Sequence, residues 1–230
     1  MTAMALLLLA DGRYPAGGHA HSGGVEAAVI DGRVHDLASL EQFAIGRLLS
    51  TGLTEAALAA ATLHRLLTAE PATSVDVLCE LDGEADARIA PTPLREASRR
   101  LGRQLARVAS RCWPHAVLVA LAEAAPDGGH QPVVLGTVGL AAGLTVEEVA
   151  ALSVHHAVTT ATGAAVRLLG LDPFGVAALT AKLAPLADDV ATRATDAAAD
   201  PLAELPARTG PLLEIAATEH RARDARLFAT

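Results

Sequence analysis

Aromatic side chains are almost missing from this sequence: Phe, Trp and Tyr together make up 2% of its 230 residues. A core without them has to be assembled from Ala, Leu and Val. Lysine is nearly absent too, with Lys182 alone beside 17 arginines, and the net charge is −8. That balance lacks the basic excess on which nucleic-acid binding depends. Only two cysteines occur, Cys79 and Cys112, far apart and without Cys-x-x-Cys spacing. They supply neither a disulfide framework nor a closed zinc site, and read as free buried thiols of a reducing compartment. No stretch alternates apolar and polar residues with period two, and Val75–Leu78 and Val117–Val119 are too short to found a sheet. A Gly-x-Ser-x-Gly nucleophile elbow is missing as well.

What remains is strongly helical. Apolar residues reach 51% and charged ones 19%, a composition that buries a core rather than staying disordered. Ala and Leu are strong helix formers, and small side chains let helices approach closely. The reading is an all-α fold, a single-domain bundle of roughly ten helices across residues 1–230. Helical stretches are expected over Met1–Asp11, Gly23–Asp31, Asp36 to Leu48, and Thr54 to Ala69. Thr92 as N-cap and Pro93 at the first helical position open a helix to about Cys112, and another runs from His115 to Ala124. Gly136, Gly139 and Gly143 give Val133–Gly143 a face for close helix contact. Thr145 and Glu148 form a capping box for a helix reaching about Gly170, and Asp172–Pro173 restarts the chain. Segments at Phe174–Leu183, Pro185–Ala199 and Leu212–Ala222 complete the set.

Two apolar runs test for membranes. Ala3–Ala10 is short, has no basic residue before it and meets Asp11, which makes a poor signal peptide. Val149–Val166 carries no formal charge, but its His155, His156, Thr159, Thr160 and Thr162 fit a buried core helix better than a span. The expectation is a cytoplasmic protein with no membrane contact.

Four features carry the candidate chemistry. The loop 12–24 is rich in Gly and Pro, yet it lacks the GxxxxGK[ST] of a phosphate loop and follows no strand, so it reads as a special conformation that positions a surface. Within it His19 and His21 are candidate metal ligands. Two imidazoles fall short of the four ligands of a closed site, so Asp11 or Glu26 would have to help. On the helix after Pro93, Arg95, Arg99, Arg103, Arg107 and Arg111 recur every four residues with Arg100 beside them. Such a ridge is either a docking face for an acidic partner or a second subunit, or an ordinary solvated face. Finally, the tail 219–230 contains Arg226–Leu227–Phe228, which must either fold back or anchor another protein. No catalytic set emerges, so no enzyme is expected.

Taken in order, these segments resemble the UreF family of urease accessory proteins. The resemblance is carried by Leu6–Leu7–Leu8–Leu9–Ala10–Asp11, Pro15-x-Gly17 and His21–Ser22–Gly23–Gly24-x-Glu26. It continues in Arg95–Glu96–Ala97–Ser98-x-x-Leu101–Gly102–Arg103, then in His130 leading into Val133–Val134-x-Gly136. It closes with Pro211–Leu212–Leu213–Glu214–Ile215–Ala216, His220 and Arg226–Leu227–Phe228. The chain differs from the family at His19, where an aromatic is usual, and at Arg221, Asp224 and Thr230. The resemblance implies a dimerising helical scaffold that binds UreD (also called UreH), recruits the GTPase UreG and helps deliver nickel to apo-urease. It binds no cofactor directly, because nickel and GTP are handled by its partners. Partner-binding positions implied are Pro15, Gly17, His21, Ser22, Gly23 and Glu26 in the loop, Arg99 and Arg103 on the ridge, and His220, Arg226, Leu227 and Phe228 in the tail. The readings it competes with are a small metal-binding protein using His19 and His21, and a helical enzyme using the loop for substrate. The mean hydropathy of +0.35 predicts poor solubility for the chain alone, as an exposed apolar surface awaiting a partner would cause.

Overall fold

The computed structural model describes residues 3–221 together with 227 and 228. Among these residues there is no strand, and twelve α-helices follow one another. They are α1 (Ala3–Ala10), α2 (Val25–Ile30), α3 (Leu37–Arg47), α4 (Leu53–Thr68), α5 (Ser74–Arg88) and α6 (Thr92–Cys112). Then come α7 (Ala116–Ala124), α8 (Gln131–Ala142), α9 (Val146–Leu169), α10 (Pro173–Lys182), α11 (Ala184–Asp196) and α12 (Pro211–Arg221).

Helix α4 is the axis of the packing. Its Leu58, Ala59, Ala61, Leu63 and Leu66 join a core shared with α1, α5, α6, α7 and α8. Its Leu53, Ala56, Ala57 and Ala60 face a second core, built by α2, α3, α9, α10 and α11. A helix buried on both sides cannot carry bulky residues all round, which is why α4 is so rich in Ala. Helix α8 crosses it closely: a Cβ on Gly136 would collide with the Ala59 carbonyl and with Thr62, and one on Gly139 with Val149. The small-residue face expected at Val133–Gly143 is therefore real at Gly136 and Gly139, where it serves α4 and α9, whereas Gly143 is the left-handed C-cap of α8 and meets no neighbour.

Local signals held where the chemistry is local. Asp36 caps α3 by accepting from the Ser39 amide, Thr145 and Glu148 make the capping box of α9, and Asp172 accepts from the amides of Phe174 and Gly175. Helix α9 is the one described helix long and apolar enough to cross a membrane, and 61% of that stretch is buried inside the fold. Cys79 and Cys112, expected to be buried, are both exposed, and three further expectations need correction. No helix begins at Thr54; a π-helical turn at Leu48–Gly52 joins α3 to α4, and the Thr54 hydroxyl donates to the Arg208 carbonyl at 2.9 Å instead. An i→i+5 turn absorbs one residue and keeps both flanking helices aimed at the same core. Thr92 is not the cap of α6, since Pro91 occupies that position and Thr92 is already helical. Helix α5 went unanticipated, because its buried stripe Leu78, Leu81, Asp82, Ala85 contains a carboxylate and flanks Gly83.

Candidate functional site

A groove of about 940 Å³ lies between the loop 12–24, α4, α6, α9 and α12. Its position follows from a tie at the far end of the chain. Arg88 on α5 donates to the carbonyls of Leu202 (2.7 Å) and Pro206 (3.2 Å), holding the proline-rich segment that carries α12 across to α2 and α6.

The loop is shaped by contacts that exclude side chains. Gly17 (φ 84°) has no room for a Cβ beside the Gln104 amide on α6, and Gly24 (φ 89°) is pressed by Leu213 of α12. Arg47 donates to the Gly23 carbonyl at 2.6 Å. Pro15 stays exposed, whereas His21, Ser22 and Glu26 are buried. Burial, helped by the charge of Arg100 and by His19, pushes the His21 imidazole down to about 4, so it is neutral at physiological pH. Two neighbouring histidines anchor α1: His156 donates to the Leu9 carbonyl at 2.9 Å and His155 to the Ala10 carbonyl at 3.3 Å. Burial lowers the His156 pKa as well, and each ring meets an orphan carbonyl at the end of that helix through its Nε2.

The tail meets the loop at Glu26. Its carboxylate, 3% exposed, accepts from the backbone amides of Leu227 (2.6 Å) and Phe228 (3.2 Å). Phe228 is 5% exposed and belongs to the second core, while Leu227 is 72% exposed. Arg167 stacks its guanidinium 4.4 Å from the centre of the Phe228 ring and donates to the His19 carbonyl at 3.1 Å. The structure therefore unites the predicted loop and tail positions. Of the two alternatives for the tail, Phe228 takes the first: it folds back and is buried in its own chain, away from the surface that the family resemblance implied for it. The physical reason is Glu26: a buried carboxylate needs donors, and two consecutive amides at the chain end provide them. Arg226 and the side chain of His220 lie outside the described residues. Arg167 was missed as a functional residue, although it stands out in sequence as the charge closing a long uncharged stretch.

The arginine ridge divides. Arg99 turns inward and donates to Asp82 (2.8 Å), to the Gly128 carbonyl (2.8 Å) and to Asp86 (3.1 Å). His130, fully buried, donates its backbone amide to Asp82 at 2.7 Å and its Nε2–H to Asp86 at 3.0 Å. Burial pushes the His130 ring down, outweighing the hydrogen bond from Asp86's side. Burial would raise Asp86, but the hydrogen bonds of His130 and Arg99 outweigh it and hold that carboxyl below the usual range. Arg99 is thus a lock between α5, α6 and α8, which corrects its expected place at a partner surface. Arg103 is exposed and donates to the Asp127 carbonyl. As for metal ligands, His19 is exposed and His21 buried, and among the described residues no three His, Cys, Asp or Glu side chains come together to hold an ion.

Comparison with known proteins agrees with this geometry. The UreF family model matches residues 34–184. A urease accessory protein UreF of Mycobacterium sp. (strain JLS) is 44% identical over 229 residues, covering 100% of this chain and 99% of that protein. The UreF of Mycobacterium marinum (strain ATCC BAA-535 / M) is 42% identical over 231 residues, covering all of both chains. That of Mycobacterium tuberculosis (strain ATCC 25618 / H37Rv) is 39% identical over 229 residues, covering 99% of each.

Proposed function

The chain belongs to the UreF family of urease accessory proteins, and from that premise we propose that it is the scaffold of a urease maturation complex. It is an accessory protein rather than an enzyme, and its work is done with other components of urease maturation. In the proposed reading those partners are UreD, the GTPase UreG and apo-urease. The chain acts as a single domain, homodimeric in the complex and cytoplasmic. It regulates UreG while nickel passes to the enzyme, with nickel and GTP held by the partners.

The observation that supports this reading best is the joint between the two chain ends. The loop 12–24 and the tail are distant in sequence and coupled through Glu26 and Arg167. They make one composite surface beside a large groove, with Leu227 displayed on it. A scaffold needs such a preorganised surface, because ordering it on binding would cost affinity. Helices α1 and α12 add Met4, Leu7, Leu212 and Ile215 as exposed apolar side chains on either end, and contiguous apolar exposure marks interaction sites.

Co-purification with the cognate UreD tests the reading, comparing the full chain with one truncated before Arg223. The full chain is expected to bind and the truncated one to lose binding. Failure of the full chain to bind folded UreD would sink it.

A further inference from the structure

Once Arg95 and Arg99 are accounted for, four arginines of the α6 ridge are left: Arg100, Arg103, Arg107 and Arg111. All four are exposed. Arg95 is held by the carbonyls of Ile89 and Ala90 and Arg99 by the α5 carboxylates; Arg103 donates to the Asp127 carbonyl, but none of the four has a carboxylate within ion-pair distance among the described residues. In a chain with 26 acidic residues and net charge −8, leaving four neighbouring guanidiniums unpaired is a choice of placement. At about 100° per residue they fall within an arc of about 80°, and the stripe is about 16 Å long. Repulsion at the i, i+4 steps costs helix stability, so a structural purpose does not explain it. The helix dipole accounts only for the last turn, at Arg111.

Beside the stripe lies a second, smaller channel of about 250 Å³ between α6 and α7. Arg103, Arg107 and Ser110 form one rim; Leu118, Leu121 and Ala122 give it an apolar wall, and no Asp or Glu lines it. Charge on a ridge next to an apolar slot has a definite complement.

We propose that the Arg100–Arg111 face of α6 docks an acidic amphipathic helix of a partner protein, with carboxylates at helical spacing on the arginines and an apolar side chain in the α6–α7 channel. A helix fits because the arginine steps of three and four residues match the repeat of carboxylates on a facing helix. Arg favours this, since its planar fork takes a carboxylate through two parallel bonds. A nucleic acid fits less well: the overall charge repels a polyanion, and the channel offers no aromatic platform for bases. This deepens the scaffold reading by giving it a docking face distinct from the loop–tail joint. It does not depend on which maturation protein supplies the helix.

The test is fluorescence anisotropy of the full chain with a labelled helical peptide carrying Glu at i, i+4 spacing and one Leu per turn. Binding is expected at low salt and should weaken roughly tenfold or more toward physiological ionic strength, as exposed ion pairs are screened. Arg107→Glu should abolish binding while leaving the melting temperature unchanged or higher, because it turns two repulsive steps with Arg103 and Arg111 into attractive ones. Arg107→Lys should retain part of the affinity, and Arg103→Ala should weaken it several-fold. Equal binding by Arg107→Glu, no binding by the wild type, or tighter binding of duplex DNA than of the peptide each overturns the proposal. In the co-purification experiment, Arg107→Glu should keep UreD binding that the tail truncation loses. Loss with the truncation alone leaves the scaffold reading intact even if the peptide never binds.

Discussion

Two acidic centres in this protein, one half-buried and one buried, solve one problem in opposite ways. Asp82 and Asp86 on α5 meet groups from packed helices: the charge of Arg99 from α6, and hydrogen bonds from His130 at the start of α8. Glu26 on α2 is satisfied by main-chain amides of the last residues, two hundred positions away. The first centre ties together three helices that already share a core. The second joins a loop to a chain end through one carboxylate, one buried ring and one stacked arginine. Opening the first exposes uncompensated charge between packed helices, whereas the second ties a segment near the chain terminus, where local opening concentrates. The same chemistry therefore makes a lock in one place and a latch in the other.

Breaking the lock should have the larger effect. Arg99→Ala leaves the buried Asp82 without its cation at the α5–α6–α8 junction and is expected to cost about 2 kcal/mol, read as a lower urea midpoint with unchanged slope. Arg103→Ala, one turn away and exposed, should fall within about 0.5 kcal/mol of wild type. A similar loss in both would erase the distinction. The latch should respond differently. Glu26→Gln keeps the shape but replaces an acceptor oxygen by a donor, so the tail should gain protease sensitivity and faster amide exchange while global stability falls by only about 1 kcal/mol. A global collapse equal to that of Arg99→Ala would show that the tail belongs to the lock.

The smallest effect concerns pH. His21 and His130 both have folded pKa values below the ordinary imidazole value, His21 at about 4. The unfolded chain therefore binds more protons than the folded one below about 6.5. The stability these rings contribute is full above that pH and is lost as the pH falls, for His21 through about 4. Asp86, with its carboxyl held low, extends the loss further into acid. Denaturant unfolding from pH 7 to 4 should show this slope, and His21→Asn should flatten it within the 6.5 to 4 window. An unchanged slope would mean the loop is not closed in solution.

The sequence revealed some of this and concealed the rest for identifiable reasons. The caps at Asp36, Thr145 and Asp172 could be read because a cap is a contract between residues three apart. Gly136 was legible as a close-approach residue, though its partner, the Ala59 carbonyl, was not. Helix α5 had the right spacing in Leu78, Leu81, Asp82 and Ala85, but an Asp on the buried face looks polar until Arg99 and His130 arrive from other helices. The loop and tail were both singled out, yet nothing local says that Glu26 would take the amides of Leu227 and Phe228.

Composition and short-range chemistry by themselves determined the helical class, most helix starts and the crowding of Ala and Gly where helices cross. These depend on backbone propensity and on contacts within a turn or two. Only the tertiary structure decided which arginines are spent and which are free, whether Phe228 faces out or in, and that the chain runs through Leu48–Gly52 without a break. Each of those outcomes turns on a partner far away in sequence, and a charge or a ring has no fixed meaning until that partner is in place.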